Sequence, residues 1–175
     1  MKKLLLKRAA VAIIAMFTMS MAAFAQEKGD MAAGANLLLG TGNGYSNIGL
    51  GGKFLYNITA PIRLAGEFDY FLKKNYLSMW DFSVYGHYLF PVADKITVFP
   101  AAGLGILGST VSYPYGWGEF VPGFNSSYSG SDFALSLGGG ADFQLTSNLF
   151  ATGELRIKIS DGTRFNIVAG VAYKF

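Results

Sequence analysis

Apolar and aromatic residues occupy every second position at the end of the chain. Reading back from the C-terminus, these positions hold Phe175, Tyr173, Val171, Ala169, Ile167 and Phe165. The positions between them include Lys174, Asn166 and Arg164. A period of two is that of a β-strand, because successive side chains of a strand point to opposite faces. The segment therefore predicts a strand with one uncharged face.

The same alternation recurs in seven earlier segments, at about 31–40, 48–58, 62–72, 80–90, 96–106, 133–145 and 149–159. In each segment, one face contains no Asp, Glu, Lys, Arg, Asn, Gln or His. Strands with one apolar face, separated by turn residues, are typical of proteins that cross a membrane as a barrel. The pattern predicts an all-β fold, a transmembrane up-and-down antiparallel β-barrel of about eight strands.

The opposite face of these segments holds most of the charged residues. A charged side chain facing lipid at the bilayer midplane costs about 2–4 kcal/mol for Arg or Lys, so the uncharged face must be the outer one. The charges then line the interior, in two sets on opposite sides of the barrel. The first set is Lys53, Arg63, Glu67, Asp69 and Asp81, and the second is Asp142, Glu154, Arg156, Lys158 and Arg164. Similar numbers of both signs favour an internal salt-bridge plug over a selective constriction in a pore.

Two other folds compete with this interpretation. A soluble lipocalin-like barrel would reverse the faces, but its outer surface would then be built from glycine and other small residues. Among them are Gly49, Gly51, Gly103, Gly105, Gly138 and Gly140, which suit a crowded interior better. A helical membrane protein would use the uncharged stretches 31–52 and 96–118, but glycine and proline interrupt them and the period is not 3.6.

The N-terminus has the composition of a secretory signal peptide. A short cationic stretch precedes an apolar run, and Ala23-Phe24-Ala25 supplies a small-residue cleavage site. We expect residues 1–25 to be removed and residues 26–175 to form the barrel domain; the alternative is an N-terminal membrane anchor. Ten basic and eleven acidic residues remain after cleavage, so the basic full chain does not indicate nucleic-acid binding. The chain contains no cysteine, which excludes lipoprotein attachment and disulfides.

Short connections alternate with longer ones along the chain. Those at 57–61, 91–95 and 146–148 are short, as periplasmic turns are, and those at 41–47, 73–78, 109–131 and 160–163 would face outside the cell. An even number of strands places both termini in the periplasm. The longest outer connection, from about Ser109 to Ser131, is rich in aromatic residues. Its contact candidates are Tyr113, Tyr115, Trp117, Phe120, Phe124 and Tyr128, which would either bind a surface or fold over the barrel.

The last six residues contain a glycine, Gly170, an aromatic residue, Tyr173, and a terminal Phe175. This C-terminus is similar to the assembly signal read by the outer-membrane insertion machinery. The region 26–175 resembles the small eight-stranded outer-membrane β-barrels of Gram-negative bacteria. The group includes outer-membrane protein X, the transmembrane domain of outer-membrane protein A and the opacity-type adhesins. The resemblance implies a place in the bacterial outer membrane, contact with lipid and lipopolysaccharide, and periplasmic chaperones and insertion machinery as assembly partners.

His87 is the only histidine, and the sequence predicts it on the interior face of the fourth segment. Some barrels of this size deacylate or acylate lipid A, but no serine lies two residues after His87 and the residue does not face lipid. We therefore expect no catalytic residue, cofactor or metal site. The favoured function is a non-enzymatic surface protein, structural or adhesin-like through the outer 109–131 loop with a host or cell-surface ligand. The alternatives are a narrow porin-like channel for small solutes or ions and, third, a lipid A-modifying enzyme.

Overall fold

The computed structural model describes residues 27–42, 45–74, 76–113 and 126–175, and every regular element in these ranges is a strand. The predicted signal peptide, residues 1–25, lies outside them. Strands form where β-branched, aromatic and aliphatic residues alternate with polar or small ones. The strands are β1 Met31–Gly42, β2 Tyr45–Thr59, β3 Ile62–Lys74, β4 Leu77–Tyr88, β5 Phe90–Ala93, β6 Ile96–Tyr113, β7 Ser126–Gln144, β8 Leu149–Ile159 and β9 Thr163–Lys174.

The strands form one antiparallel sheet that closes on itself. The sheet order is β4-β3-β2-β1-β9-β8-β7-β6-β5, and a further pairing of β4 with β6 closes the ring. Strands β4 and β5 both pair with β6, at His87 opposite Ala101 and Phe90 opposite Val98, so β5 continues the line of β4 after a break at Leu89. The barrel thus has eight strand positions, as the sequence predicted, because β4 and β5 share one position and the other seven strands take one each.

The two faces lie as the alternation predicted. Large apolar side chains of the uncharged face are exposed around the barrel, for example Leu50, Phe82, Leu104 and Leu155. The intervening residues are mostly buried within the barrel. Because the pairing of β4 with β6 closes the ring, the backbone groups of the paired strands are bonded to neighbouring strands, as a bilayer requires. Prediction and structure therefore agree on which face is outside.

The prediction was wrong about the connection between the fifth and sixth segments. Ser109–Ser131 is not all loop, because β6 and β7 stay paired from Gly108 opposite Ser131 to Tyr113 opposite Ser126. The alternation of apolar residues is lost beyond Ile106 and before Phe133, although the strands continue. Lipid imposes that alternation, so strands that project beyond the bilayer can pair without it. Only residues 114–125 separate the two strands.

Two of the three predicted short connections, 57–61 and 91–95, are shorter than predicted, whereas the third extends over 145–148 instead of 146–148. Turns occupy Ala60 and Pro61 between β2 and β3, and Asp94 and Lys95 between β5 and β6. Both lie at the end of the barrel that carries Met31 and Lys174, which we call the terminal end. The opposite end, at Gly42 and Thr163, is called the far end.

No helix of the described residues is long and apolar enough to span a membrane.

Candidate functional site in the barrel interior

The structure places all ten predicted interior charges on the inner side of the wall. Nine of them are buried, and Arg164, near the far end, is partly exposed. The buried nine are Lys53, Arg63, Glu67, Asp69, Asp81, Asp142, Glu154, Arg156 and Lys158. Such a concentration of buried charge requires pairing, because an isolated charge in a medium of low dielectric constant is strongly disfavoured. The arrangement of the pairs therefore decides what the interior can do.

All but one of the interior ion pairs cross the barrel. On β3, Arg63 binds Asp142 of β7 at 2.6 Å, and Glu67 binds Arg156 of β8 at 2.7 Å. Lys158 of β8 pairs with Asp81 of β4. The two predicted sets do lie on opposite sides of the barrel, on β2–β4 and on β7–β9. The ion pairs of Lys53, Arg63, Glu67 and Asp81, however, join one set to the other, and only the pair of Arg156 with Glu154 lies within a set. Eight of the ten charges, all but Asp69 and Arg164, form a cross-strut between two halves of the wall.

Arg156 is the centre of this network. Its guanidinium makes two hydrogen bonds to Glu67, of 2.7 and 2.8 Å, and two to Glu154, of 2.9 and 2.5 Å. The Tyr85 ring lies 4.2 Å from the guanidinium carbon, a cation–π distance. Asn36 donates to Glu67, and Lys53 lies 3.8 Å from Glu154. The planar donors of Arg156 are thus shared between two carboxylates, the geometry that makes such pairs strong.

A second cluster lies nearer the terminal end. Arg63 donates through Nη1 to Asp142 and through Nε to Nδ1 of His87, at 2.6 and 3.2 Å. The His87 ring stacks on Phe99 at 4.6 Å, and the hydroxyl of Thr152 donates to Asp142. Because Nδ1 of His87 accepts from a guanidinium, the ring proton belongs on Nε2, which has no hydrogen-bond partner among the described residues. His87 therefore acts here as a buried acceptor for Arg63.

A third cluster lies toward the far end. The ammonium of Lys158 donates to Asp81 and, at 2.9 Å, to the hydroxyl of Ser83, which itself donates to Asp81. Asp69 lies directly opposite Asp81 in the β3–β4 ladder, and within the described ranges its Oδ1 has no hydrogen-bond partner. Arg164 stands apart from these pairs, with Nη2 on the Met79 sulfur at 3.0 Å.

Glycines on the inner face make room for the larger side chains. A Cβ at Gly103 would overlap the Tyr85 ring, and one at Gly138 would lie 2.9 Å from Cα of Arg156. A Cβ at Gly140 would lie 2.7 Å from Cγ of Glu154. The channel hypothesis needed these glycines to leave open space, and the structure fills that space with Tyr85 and the network residues. Close approach is what glycine provides here.

Cavities remain at both ends of the barrel. The cavity at the terminal end is about 520 Å³ and reaches Asp142. The cavity at the far end is about 280 Å³ and is lined by Arg164 among others. Arg156 and Glu67 line neither cavity.

Four aromatic residues of the predicted outer contact set lie outside the described residues: Tyr115, Trp117, Phe120 and Phe124. Tyr113 and Tyr128 belong to the ends of β6 and β7 instead of a loop. At the C-terminus, Gly170 faces inward and packs against Asn36, whereas Tyr173 and Phe175 face outward. The Phe175 amide donates to the carbonyl of Met31, which ties the chain end to β1.

Sequence reasoning missed several uncharged members of the network. Tyr85, Ser83, Thr152 and Phe99 are buried and each contacts a charged partner. Their positions on the inner face of their strands were available as a signal. Among the described residues, no group of three or more His, Cys, Asp or Glu side chains could hold a metal ion.

A family model described as the outer membrane protein beta-barrel domain matches residues 9–175. No curated protein sequence matches the chain. One similar solved structure is that of the Neisserial surface protein A, with 16% sequence identity and a TM-score of 0.65, and the match covers 83% of this chain and 96% of that chain. Another is that of Ail, the attachment invasion locus protein of Yersinia pestis, with 17% identity and a TM-score of 0.58, and the match covers 85% of this chain and 99% of that chain. The N-terminal β-barrel domain of Pseudomonas aeruginosa OprF is also similar, with 15% identity and a TM-score of 0.57, and the match covers 86% of this chain and 100% of that chain. At these sequence identities the similarity shows a shared fold and nothing more.

Proposed function

Because the chain belongs to the family of outer membrane protein beta-barrel domains, we propose that it is a non-enzymatic surface protein of the bacterial outer membrane with a plugged interior. Its role is structural or adhesin-like, and it acts through the hairpin of β6 and β7. Residues 1–25 are then the cleaved signal peptide, and both termini lie in the periplasm. Lipid and lipopolysaccharide surround the barrel, and periplasmic chaperones and the insertion machinery assemble it.

The plug rests on the position of Arg156. Its guanidinium bridges Glu67 and Glu154 from opposite walls and is covered by Tyr85. An ion crossing the barrel would have to break these hydrogen bonds and leave the charges unpaired. Breaking a buried pair costs about 3–5 kcal/mol, which opposes steady conduction. This observation favours the plugged interior over the porin-like channel.

The surface role rests on the length of one hairpin. The ladder between β7 and β8 ends at Leu135 opposite Ile159, so residues 126–134 of β7 continue beyond it. Along these residues β7 pairs only with β6, among the residues that the structure describes. The paired strands therefore project from the far end of the barrel. A projecting element on a rigid barrel is a suitable support for a contact surface.

The chemistry of this segment indicates an uncharged or weakly charged ligand. Ail has been solved in complex with the heparin analogue sucrose octasulfate, a polyanion. In the present chain, residues 109–131 contain no Lys or Arg and one acidic residue, Glu119. Such a segment would not attract a polyanion. Its aromatic residues instead suit stacking against a host or cell-surface ligand of low charge.

Single-channel recording in planar bilayers tests the plug. Barrels extracted from outer membranes after expression of the full chain should be silent, although a heat-shifted gel band shows that they are folded. Glu67→Gln and Arg156→Gln should give small steps where the unsubstituted protein gives none. Reproducible conductance of the unsubstituted protein that changes on either substitution would instead establish the porin-like channel.

Adhesion of expressing cells tests the surface role. Replacing residues 114–125 by Asn-Gly keeps Tyr113 opposite Ser126 across a two-residue turn. This variant should insert normally but lose adhesion to epithelial monolayers and to other cells. Lys73→Gln, on the separate β3–β4 hairpin, is the control and should adhere normally. If the replacement variant adheres as well as the unsubstituted protein, the adhesin-like version is wrong; if neither adheres, the role is structural.

A further inference from the structure

The cavity at the far end has the charges of a binding site for a zwitterion. It is about 280 Å³, and Asn47, Phe71, Met79, Asp132, Asp161 and Arg164 contribute to its lining. We propose that it binds a free α-amino acid with an apolar side chain. The site lies above the Arg156 network and needs no open interior, so it does not depend on the proposed surface role.

Arg164 provides the first argument. The other cations of the interior set, Lys53, Arg63, Arg156 and Lys158, each have a carboxylate partner within ion-pair distance. Arg164 has none among the described residues, and its Nη1 is buried without a hydrogen-bond partner. A partly buried guanidinium is normally paired with an acceptor. A ligand carboxylate in the cavity would supply that acceptor in the planar geometry that Arg favours.

The acidic residues provide the second argument. Asp132 of β7 and Asp161 of the β8–β9 turn line the same cavity as Arg164, yet neither forms an ion pair with it. Opposite charges therefore face one cavity without contacting each other. A ligand that carries both a carboxylate and an ammonium group can bind Arg164 and an aspartate at once. Asp132 and Asp161 are exposed at the rim, where an ammonium group would keep part of its hydration.

Asn47 provides an independent argument. Its side chain lines the cavity and the residue is only 5% exposed, but neither its amide nitrogen nor its oxygen has a hydrogen-bond partner in the part of the chain that the structure describes. A buried amide without hydrogen-bond partners is costly, because it has lost its hydration without replacing it. The two head groups of an amino acid would satisfy both atoms, since the carboxylate accepts from the nitrogen and the ammonium donates to the oxygen.

The remaining lining fits an apolar side chain. Phe71, Met79 and the partly buried Leu77 form an apolar cluster beside the cavity, and Leu107 also lines it. The Arg164 guanidinium lies 5.6 Å from the centre of the Phe71 ring. The charged head groups and the apolar surface are thus adjacent, as in small-molecule sites where a few polar groups orient a ligand on an apolar lining. The volume suits a small molecule, not a polymer.

Other ligand classes satisfy fewer of these groups. An anion alone would face repulsion from Asp132 and Asp161, and a cation alone would leave Arg164 without an acceptor. A neutral sugar could bind Asn47 but would leave the guanidinium charge unpaired. Each of these classes is a distinguishable outcome of the experiment.

Isothermal titration calorimetry on folded barrels extracted after expression of the full chain tests the proposal. The probes are L-leucine, 3-methylbutylamine, which lacks the carboxylate, 4-methylpentanoate, which lacks the ammonium group, and glucose. Leucine should bind at least tenfold more tightly than any other probe. No leucine binding, or equal binding of an analogue or of glucose, would overturn the zwitterion site.

Variants locate the site. Arg164→Gln should weaken leucine binding at least tenfold, and the double variant Asp132→Asn with Asp161→Asn should do the same. Asp94→Asn, in the cavity at the terminal end, is the matched control and should bind leucine normally. A heat-shifted gel band verifies folding, and if Arg164→Gln fails to fold, the exposed aspartate pair gives the decisive result. Leucine binding that survives the aspartate variant places the ligand elsewhere and contradicts the proposal.

Discussion

Arg156 on β8 and Glu67 on β3 form a bidentate ion pair across the barrel interior, with nitrogen–oxygen distances of 2.7 and 2.8 Å. The two residues are 89 positions apart in the chain, and both side chains are buried. The pair joins walls that share no ladder of hydrogen bonds. Its contribution to stability can be separated from that of exposed pairs, because the chain contains both kinds.

Glu67→Gln should destabilise the folded barrel by about 3 kcal/mol, because it leaves Arg156 with one charged partner in a buried site. The measurement is the midpoint of urea unfolding in detergent, followed by the loss of the heat-shifted band. The control is Lys174→Gln, which removes a partly exposed pair with Asp30 and should cost less than about 1 kcal/mol. Equal losses in the two variants would mean that the cross-strut contributes little.

Gly103→Ala should destabilise the barrel by about 1–3 kcal/mol, because the added methyl group overlaps the Tyr85 ring and overpacks the interior. Gly153→Ala is the matched control, since a Cβ there meets no atom within 4 Å. Refolding yield and the urea midpoint of the two variants are compared. A tolerated Gly103→Ala would indicate that Tyr85 has free space around it.

Leu155→Lys should destabilise the barrel in lipid by about 2–4 kcal/mol, because the side chain is 65% exposed on the outer face near the middle of β8. Ile159→Lys, at the far end of the same strand, should cost about 0–1 kcal/mol, since charge is tolerated near the interface. The free energy of unfolding of each variant is measured in phospholipid vesicles. Equal costs at the two positions would contradict the predicted depth of β8 in the bilayer.

Removal of Phe175 should reduce assembly in cells more than it reduces refolding in detergent. The reason is that an assembly signal acts through the insertion machinery, whereas the ring contacts of Phe175, such as Phe54 at 6.5 Å, contribute only to the final fold. The amount of heat-shifted protein in outer membranes is compared with the refolding yield. Ile159→Ala serves as the control for loss of an exposed apolar group. A parallel fall in both quantities would show that Phe175 matters only for stability.

The alternation of residues was sufficient to predict the wall of the barrel and its outer face. Leu50 and Leu104 had to face outward because a charge in that register is penalised by lipid. The same constraint does not act beyond the membrane, which is why the paired ends of β6 and β7 at Tyr113 and Ser126 were mistaken for loop. Pattern-based prediction therefore worked where the bilayer limits the choice of residue.

The partners of the interior charges could not be predicted from hairpin register. Lys53 lies directly opposite Glu67 in the β2–β3 ladder, yet its ion pair is with Glu154 of β8. Glu67 instead binds Arg156, whose planar donors match both oxygens of a carboxylate. The choice depends on which residues face each other across the closed ring, and this depends on the stagger of the strands. Single strands carry no information about that stagger.

The cross-strut also bears on how the barrel reaches its folded state. The hydrogen-bonded partners in its three main pairs are 79, 89 and 77 positions apart, so no single hairpin contains both members of a pair. Contacts between such distant positions form late, because long segments must first be brought together. A half-formed sheet entering lipid would carry unpaired charges as well as open edges. We therefore expect insertion and closure to occur as one cooperative step, without a stable partly inserted intermediate.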